Sequence, residues 1–258
     1  MIEIRNVWKR YGDSVILENI SATVAEGEFI TLVGASGCGK STFLRMLLGT
    51  DVPNQGEILL DGKTIADEPD AERGVVFQQY SVFPHMTVLE NVIIARAFEK
   101  TRLGFLWGKR KRAARDEAMA MLETVGLSHM AARYPDELSG GMRQRLAIAQ
   151  ALILKPRILL LDEPFGALDP GIRADMHALV LSLWRQHKLT VFMVTHDLAE
   201  GFHLGTRLWV FDKLRLDPQA PNRFGAGITY DLPVGQCEPE LLREIDSGLS
   251  SSGQELVS

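Results

Sequence analysis

VGASGCGKST, Val33 to Thr42, places three glycines and a lysine within ten residues, at the end of the apolar run FITLV, Phe29 to Val33. Its core, GASGCGKS, fills each fixed place of the G-x-x-x-x-G-K-[ST] pattern with Gly34, Gly39, Lys40 and Ser41. Glycines let the backbone turn its N–H groups inward, so that Gly34, Ala35, Ser36, Gly37, Cys38, Gly39 and Thr42 form a cradle for phosphate oxygens. Lys40 neutralises charge between the β and γ phosphates and Ser41 is placed to ligate Mg²⁺. Cys38 reads as a small residue that offers its N–H, in preference to a redox group. After the loop, KSTFLRMLLG gathers Phe43, Leu44, Leu47 and Leu48 on one helical face and stops near Gly49, with Pro53 beyond. Strand, glycine loop and helix thus follow in the order that phosphate binding requires.

Three more apolar runs share the character of FITLV: GVVF (Gly74 to Phe77), ILLL (Ile158 to Leu161) and TVFMV (Thr190 to Val194). Such runs suit strands buried on both faces of a parallel sheet. Each ends in polar residues: Gln78, then Asp162 and Glu163, then Thr195 and His196. Ligands of parallel sheets collect beyond the strand carboxyl ends, so these groups are expected to converge with Gly34 on one edge. Towards the N-terminus, SVILENISATV and GEILLDGKTI alternate like half-exposed strands, the second bending at Asp61-Gly62. From about Thr87 to Gln150 the pattern is mainly helical, with GMRQRLAIAQALIL ending before Pro156. The expected class is α/β: a phosphate-loop ATPase core with a parallel sheet, an N-terminal antiparallel β subdomain and an inserted α-helical subdomain over about 87–150. Residues 1–235 form the nucleotide-binding domain on this reading. Residues 236–258 form an extension ending in the loose, polar SGLSSSGQELVS.

Composition narrows the classes. The chain has 258 residues, 46% of them hydrophobic and 24% charged, which is an ordinary globular balance. A formal charge of -5 gives no whole-molecule attraction to nucleic acid, and no nucleic-acid partner is expected. Cys38 and Cys237 are too few and too far apart for a disulfide framework or a metal cluster, which fits a reducing compartment. The start, MIEIRNVWKRYGDS, lacks the apolar core of a signal peptide, and no apolar run approaches the ~20 residues of a membrane span. A soluble chain is expected, whose membrane role, if any, comes through a partner.

Phosphate binding alone does not make a catalyst. A helix N-terminus contributes about 0.3 to 1 kcal/mol to a nearby anion, whereas enzymes lower barriers by roughly 8 kcal/mol or more. ILLLDEP supplies the missing groups at a strand end: Asp162 to hold the Mg²⁺ shell and Glu163 to polarise an attacking water. A further segment, LSGGMRQR (Leu138 to Arg145), sets Ser139, Gly140 and Gly141 at the start of a helix, again an anion-receiving arrangement. One nucleotide does not need two such cradles from one chain.

With that segment the sequence closely resembles the nucleotide-binding subunits of ABC transporters, over roughly Ile2 to Phe211. The resemblance implies that two copies face each other head to tail, each ATP lying between the phosphate loop of one and Ser139, Gly140 and Gly141 of the other. It implies that Tyr11 stacks on adenine. It makes Gln78 the residue that senses Mg²⁺ and the attacking water while touching a membrane subunit, with Gln79 as the rival for that place. It assigns His196 of VTHD to the γ-phosphate and Asp169 of GALD to the dimer interface, although a serine usually stands where Gly166 does here. The catalytic set is then Glu163, His196 and Gln78, and the metal set Ser41, Gln78 and Asp162.

Within the family, ERGVVFQQYSVFPHMTVLENV and LLLDEPFGALD look most like ATPase subunits of bacterial importers for nitrate, taurine, alkanesulfonates and similar small nitrogen or sulfur compounds. The implied partners are a second copy of the chain, integral permease subunits and, indirectly, an extracytoplasmic substrate-binding protein. The implied location is the cytoplasmic face of the inner membrane. An ABC ATPase acting on DNA or ribosomes would bring long coiled coils, paired cassettes or zinc cysteines, none of which the sequence contains. A simple phosphate-loop kinase would leave LSGG without a purpose, and an exporter cassette is more often fused to its membrane domain. The basic stretch KTRLGFLWGKRKRAAR, Lys100 to Arg115, reads as a solvated helical face or as a contact with a membrane subunit or anionic lipid.

Overall fold

Alternation builds one layer and continuous apolar runs build the others. In chain order the elements are β1 (Ile2–Tyr11), β2 (Ser14–Val24), β3 (Phe29–Gly34), α1 (Lys40–Leu48), β4 (Gln55–Leu60), β5 (Lys63–Thr64), β6 (Arg73–Val76), α2 (Val88–Lys100) and α3 (Lys109–Thr124). They continue with α4 (Gly140–Leu152), β7 (Ile158–Asp162), α5 (Pro170–His187), β8 (Thr190–Val194), α6 (Leu198–Leu204), β9 (Arg207–Asp212) and β10 (Gly227–Pro233). The structure is a computed structural model that describes residues 1–78, 81–100, 108–215, 217, 219–220 and 222–236. The expected loose extension therefore lies outside the described residues from 237 on. Contacts divide the chain into two compact units, one of Met1–Asp70 with the chain from Thr190 onward, the other of Ala71–Leu189.

The first unit holds an antiparallel sheet of order β2-β1-β4-β5. Ile2, Ile4 and Val7 of β1 and Val15, Leu17 and Ile20 of β2 are buried, while their polar neighbours face outward. Asp61 and Gly62, both at positive φ, make the tight link between β4 and β5. The unit's other strands run in the order β10-β9-β3-β8, with β9, β3 and β8 parallel and β10 an antiparallel edge. Arg207 fixes that edge by a bidentate pair with Asp231 at 2.5 Å.

Helix α1 covers this sheet with the face read from sequence: Phe43, Leu44, Leu47 and Leu48 are all buried. The Phe43 ring meets Phe192 of β8 at 6.4 Å and Trp209 and Phe211 of β9 at 6.1 and 5.6 Å, edge-on or tilted as aromatic quadrupoles favour. Gly49 ends the helix in a left-handed conformation.

In the second unit β6 and β7 pair in parallel. Helices α2, α3 and α4 share a core of Val88, Leu89, Val92, Ala118, Leu122, Leu146 and Ala149. Asn91 lies fully buried among them, its amide donating to the carbonyls of Phe83, Met86 and Thr87 at 2.9–3.0 Å while its oxygen accepts from the Phe83 N–H at 2.7 Å. Gln150 of α4 donates to the Asn91 carbonyl at 3.0 Å. No helix among the described residues is long and apolar enough to cross a membrane.

Phe43→Ala removes the ring on which three aromatic neighbours close. It should cost about 3–5 kcal/mol of stability by denaturant unfolding, against under ~1.5 kcal/mol for a volume-conserving apolar replacement.

Candidate nucleotide-binding and hydrolysis site

The phosphate loop takes its shape from close backbone approach. A Cβ on Gly34 would lie 2.2 Å from the Phe211 carbonyl oxygen, and one on Gly39 would lie 2.6 Å from the Leu17 side chain. Both glycines also have positive φ, 153° and 94°. The Phe211 backbone excludes a side chain at Gly34, and the left-handed backbone disfavours one at Gly39. Lys40, only 6% exposed, donates its ammonium to the carbonyls of Gly34 and Ala35 at 2.7 and 2.8 Å. The charge is thus held at the loop. Ser41 and Thr42 follow in the first turn of α1, which carries no acidic residue. A cradle without side chains, a lysine and two hydroxyls at a helix start fit a nucleotide phosphate with its Mg²⁺.

Cys38 is buried and 3.7 Å from the Lys40 ammonium. Burial pushes its thiol up from the ordinary value, and the lysine only partly opposes this. The group stays protonated, as a small residue lending its N–H would.

Parallel pairing sets His196 beside this loop. Leu32 of β3 lies opposite Val194 of β8, so Gly34 and His196 each follow two residues beyond a paired position. His196 is exposed. The backbone around it is fixed by Thr195, whose N–H donates to the Leu32 carbonyl at 3.1 Å and whose hydroxyl donates to buried Glu200 at 2.5 Å. Asp197 then caps α6 by accepting from the Glu200 N–H.

Tyr11 closes the β1–β2 hairpin, paired with Ser14 and 45% exposed. Its hydroxyl donates to Asp51, which also pairs with the buried ammonium of Lys9. Burial raises the Tyr11 phenol and nearby Asp51 raises it further. Burial acts to raise the Asp51 carboxyl too, but the hydrogen bonds from Lys9 and Tyr11 outweigh it and hold the group below the usual carboxylate range.

The second unit carries the other groups. Val76 of β6 lies opposite Leu161 of β7, so Gln78 and Glu163 each stand two residues beyond that pair. There the Gln78 amide donates to Glu163 at 3.3 Å. Glu163 itself has φ of 46°, a left-handed conformation that costs a non-glycine residue about 1–2 kcal/mol and that active sites often retain. Asp162 ends β7, half-buried. Gln79 lies outside the described residues. Asn91 holds the segment after Gln78 through its bonds to Phe83, Met86 and Thr87, a role sequence reading missed. Its one signal was a carboxamide on the otherwise apolar stripe of Val88 and Val92.

Ser139 is the N-cap of α4, its hydroxyl accepting from the Met142 N–H at 3.3 Å. Gly141 is buried, and a Cβ there would meet Ile172 of α5 at 2.5 Å. At the α4 start Ser139 is exposed and Gly140 half-buried. Asp169 stands before Pro170 at the start of α5, and Gly166 is exposed. Lys109 to Arg112 are exposed in the first turn of α3; the rest of the basic stretch before Gly108 lies outside the described side chains.

The phosphate loop of the first unit, with the strand-end carboxylates and second capped helix start of the other, marks a phosphate-loop nucleotide-binding protein. Residues 17–166 match the ABC transporter family. The chain is 44% identical over 214 residues to the spermidine/putrescine import ATP-binding protein PotA of Nitrosomonas eutropha, covering 82% of this chain and 57% of that protein. It is 39% identical over 229 residues to the nitrate import ATP-binding protein NrtD of Synechocystis, covering 89% of this chain and 80% of that one. A solved dimeric structure of the ATP-binding cassette MJ0796 in a post-hydrolysis state, bound to ADP and Pi, superposes with a TM-score of 0.72 at 30% identity. That match covers 91% of this chain and 99% of the other. The chain therefore belongs to the ABC transporter family, and ATP with Mg²⁺ is what a cassette of this family takes and hydrolyses. It spans less than two thirds of the length of the polyamine-importer relatives.

A protonated, shielded thiol should react slowly. Iodoacetamide at pH 8, followed by peptide mass mapping, should modify Cys38 more slowly than a free cysteine peptide; an equal or faster rate would contradict its burial.

Proposed function

We propose that this chain is the ATP-binding subunit of an importer, and that two copies close on ATP to drive uptake through separate permease subunits. The solute is a small nitrogen- or sulfur-containing compound such as nitrate, a sulfonate, taurine or a urea- or guanidine-like molecule. The names of its relatives, importers of polyamines, of aliphatic sulfonates and of nitrate, support a small nitrogen or sulfur compound without choosing among them. The ATPase does not touch the cargo, so no residue of this chain encodes it. The subunit works at the cytoplasmic face of the inner membrane, served indirectly by an extracytoplasmic substrate-binding protein. Residues 1–235 act as the nucleotide-binding domain, with the helices over about 87–150 as its inserted subdomain.

The observation that carries this reading is the second helix start, Ser139 with Gly140 and Gly141, in a chain whose phosphate loop already supplies one. Each of two copies then lends its α4 start to the other's nucleotide. The dimeric state of the solved cassette supports the same arrangement.

The roles are those that the family resemblance implies. In the first unit Lys40 holds the β and γ phosphates, Ser41 ligates the metal, Tyr11 stacks on the base and His196 hydrogen-bonds the γ-phosphate. In the second unit Asp162 and Gln78 would hold Mg²⁺ and the attacking water, and Glu163 would take that water's proton. Mg²⁺ supplies neutralisation of the phosphate charge. The bond from Gln78 to Glu163 orients the carboxylate before it acts. Beside Gln78, a cavity of about 230 Å³ lined by Arg73, Phe77, Ser81, Gln150 and Leu154 is a suitable receiver for the permease.

Glu163→Gln should keep ATP binding, lower hydrolysis by about 10²-fold or more and accumulate an ATP-bound dimer in sizing chromatography; near-normal turnover would remove Glu163 from this role. Ser139→Arg should leave ATP binding to the monomer intact and abolish hydrolysis. Full activity of that variant would contradict a shared site.

A further inference from the structure

Tyr11 is too exposed to hold its own orientation. It sits at the tip of a hairpin, 45% exposed, and its ring would sample several rotamers if nothing restrained it. A chain of contacts restrains it. The hydroxyl donates to one oxygen of Asp51. The other oxygen of Asp51 accepts from Lys9, whose ammonium also donates to the Val52 carbonyl at 2.7 Å. That ammonium stands over the Tyr11 ring, 4.9 Å from its centroid.

The cluster is a built one. Lys9 is only 6% exposed, and a buried ammonium is costly unless paired and hydrogen-bonded, as it is here. Asp51 is fixed in turn by the Val52 N–H, which donates to it at 2.9 Å. Asn54 braces this end of β1, its N–H donating to the Trp8 carbonyl at 2.8 Å and its side-chain oxygen accepting from the Arg10 N–H at 2.7 Å. Asp51 lies just past the end of α1, the helix whose first residue is Lys40 of the phosphate loop. The ring is thereby tied to the same rigid element that carries the phosphate cradle. Lys9 stands over one face of the ring, which is 45% exposed.

We infer that Asp51, held by Lys9, is a positioning residue that locks the Tyr11 ring as a preformed platform for the nucleotide base. The inference rests on the reading of Tyr11 as the base-stacking residue. Without the clamp the ring must be ordered at the moment of binding, and affinity falls by the population of the competent rotamer. The loss belongs to the base, so a ligand without one is indifferent to it.

The test is equilibrium binding to the whole chain by calorimetry, with ATP and with inorganic tripolyphosphate, for Asp51→Asn, Tyr11→Phe, their double variant and Tyr11→Ala. Asp51→Asn keeps the shape but removes the charge; Tyr11→Phe keeps the ring but removes the hydroxyl. Each should weaken ATP by about three- to tenfold, the range of one net hydrogen bond. The losses should be less than additive in the double variant, because both substitutions act on the bond between Tyr11 and Asp51. Tripolyphosphate affinity should stay unchanged throughout, which a general loss of folding would not allow. If Tyr11→Ala weakens ATP while Tyr11→Phe and Asp51→Asn do not, the ring acts without the clamp and the inference is overturned. If Tyr11→Ala itself leaves ATP binding unaltered, the base-stacking reading fails, and the inference with it. Equal losses for ATP and tripolyphosphate would reduce Asp51 to a structural brace and would also overturn the assignment.

Discussion

Two parallel registers govern where chemistry can occur in this chain. Leu32 lies opposite Val194 in the first unit and Val76 opposite Leu161 in the second. Because parallel strands run the same way, each pair must end together, and the residues after them emerge side by side. Gly34 and His196 are one such outcome; Gln78 and Glu163 are the other. Slipping either register by one residue would turn these groups to the opposite face of their sheet, since side chains alternate along a strand. The buried apolar runs Phe29–Val33, Ile158–Leu161 and Thr190–Val194 prevent that slip by filling the core on both sides.

Around the first register, packing and function draw on the same residues. Phe43 anchors α1 through its ring contacts with Phe192, Trp209 and Phe211. Phe211 also contributes the carbonyl that leaves no room for a side chain on Gly34. The loop backbone is thus pressed into its open cradle by the strand that anchors its helix. In the second unit the strained backbone of Glu163 and the bond it accepts from Gln78 show local energy spent on orientation. Asn91 does the corresponding work for the segment that follows Gln78.

Much of this was legible from local pattern. The glycine-lysine loop, the apolar runs and the α1 face need only neighbouring residues to be read, and β3, β6, β7 and β8 form where those runs stand, although Phe77, read as the end of its run, lies exposed beyond β6. The Asp61-Gly62 link and the helical stretch from Thr87 to Gln150 were legible for the same reason. What local pattern could not show depends on distant partners. Register shifts in β1 between Ile4, Val7 and Lys9 break its alternation, so only pairing with β2 and β4 makes it a strand. Half-exposed GITYDLP becomes β10 only beside β9. Asp51 gives no sign of its role in sequence because its partners, Lys9 and Tyr11, stand 42 and 40 residues away.

The central claim is that one chain carries complementary halves of two nucleotide pockets, so that only a pair of copies hydrolyses ATP. The most direct measurement is the ATPase rate per mole of chain over a dilution series that spans the monomer–dimer transition followed by sedimentation. The account predicts that specific activity falls on dilution in step with the dimer fraction. Constant specific activity down to concentrations at which the chain is monomeric would contradict it.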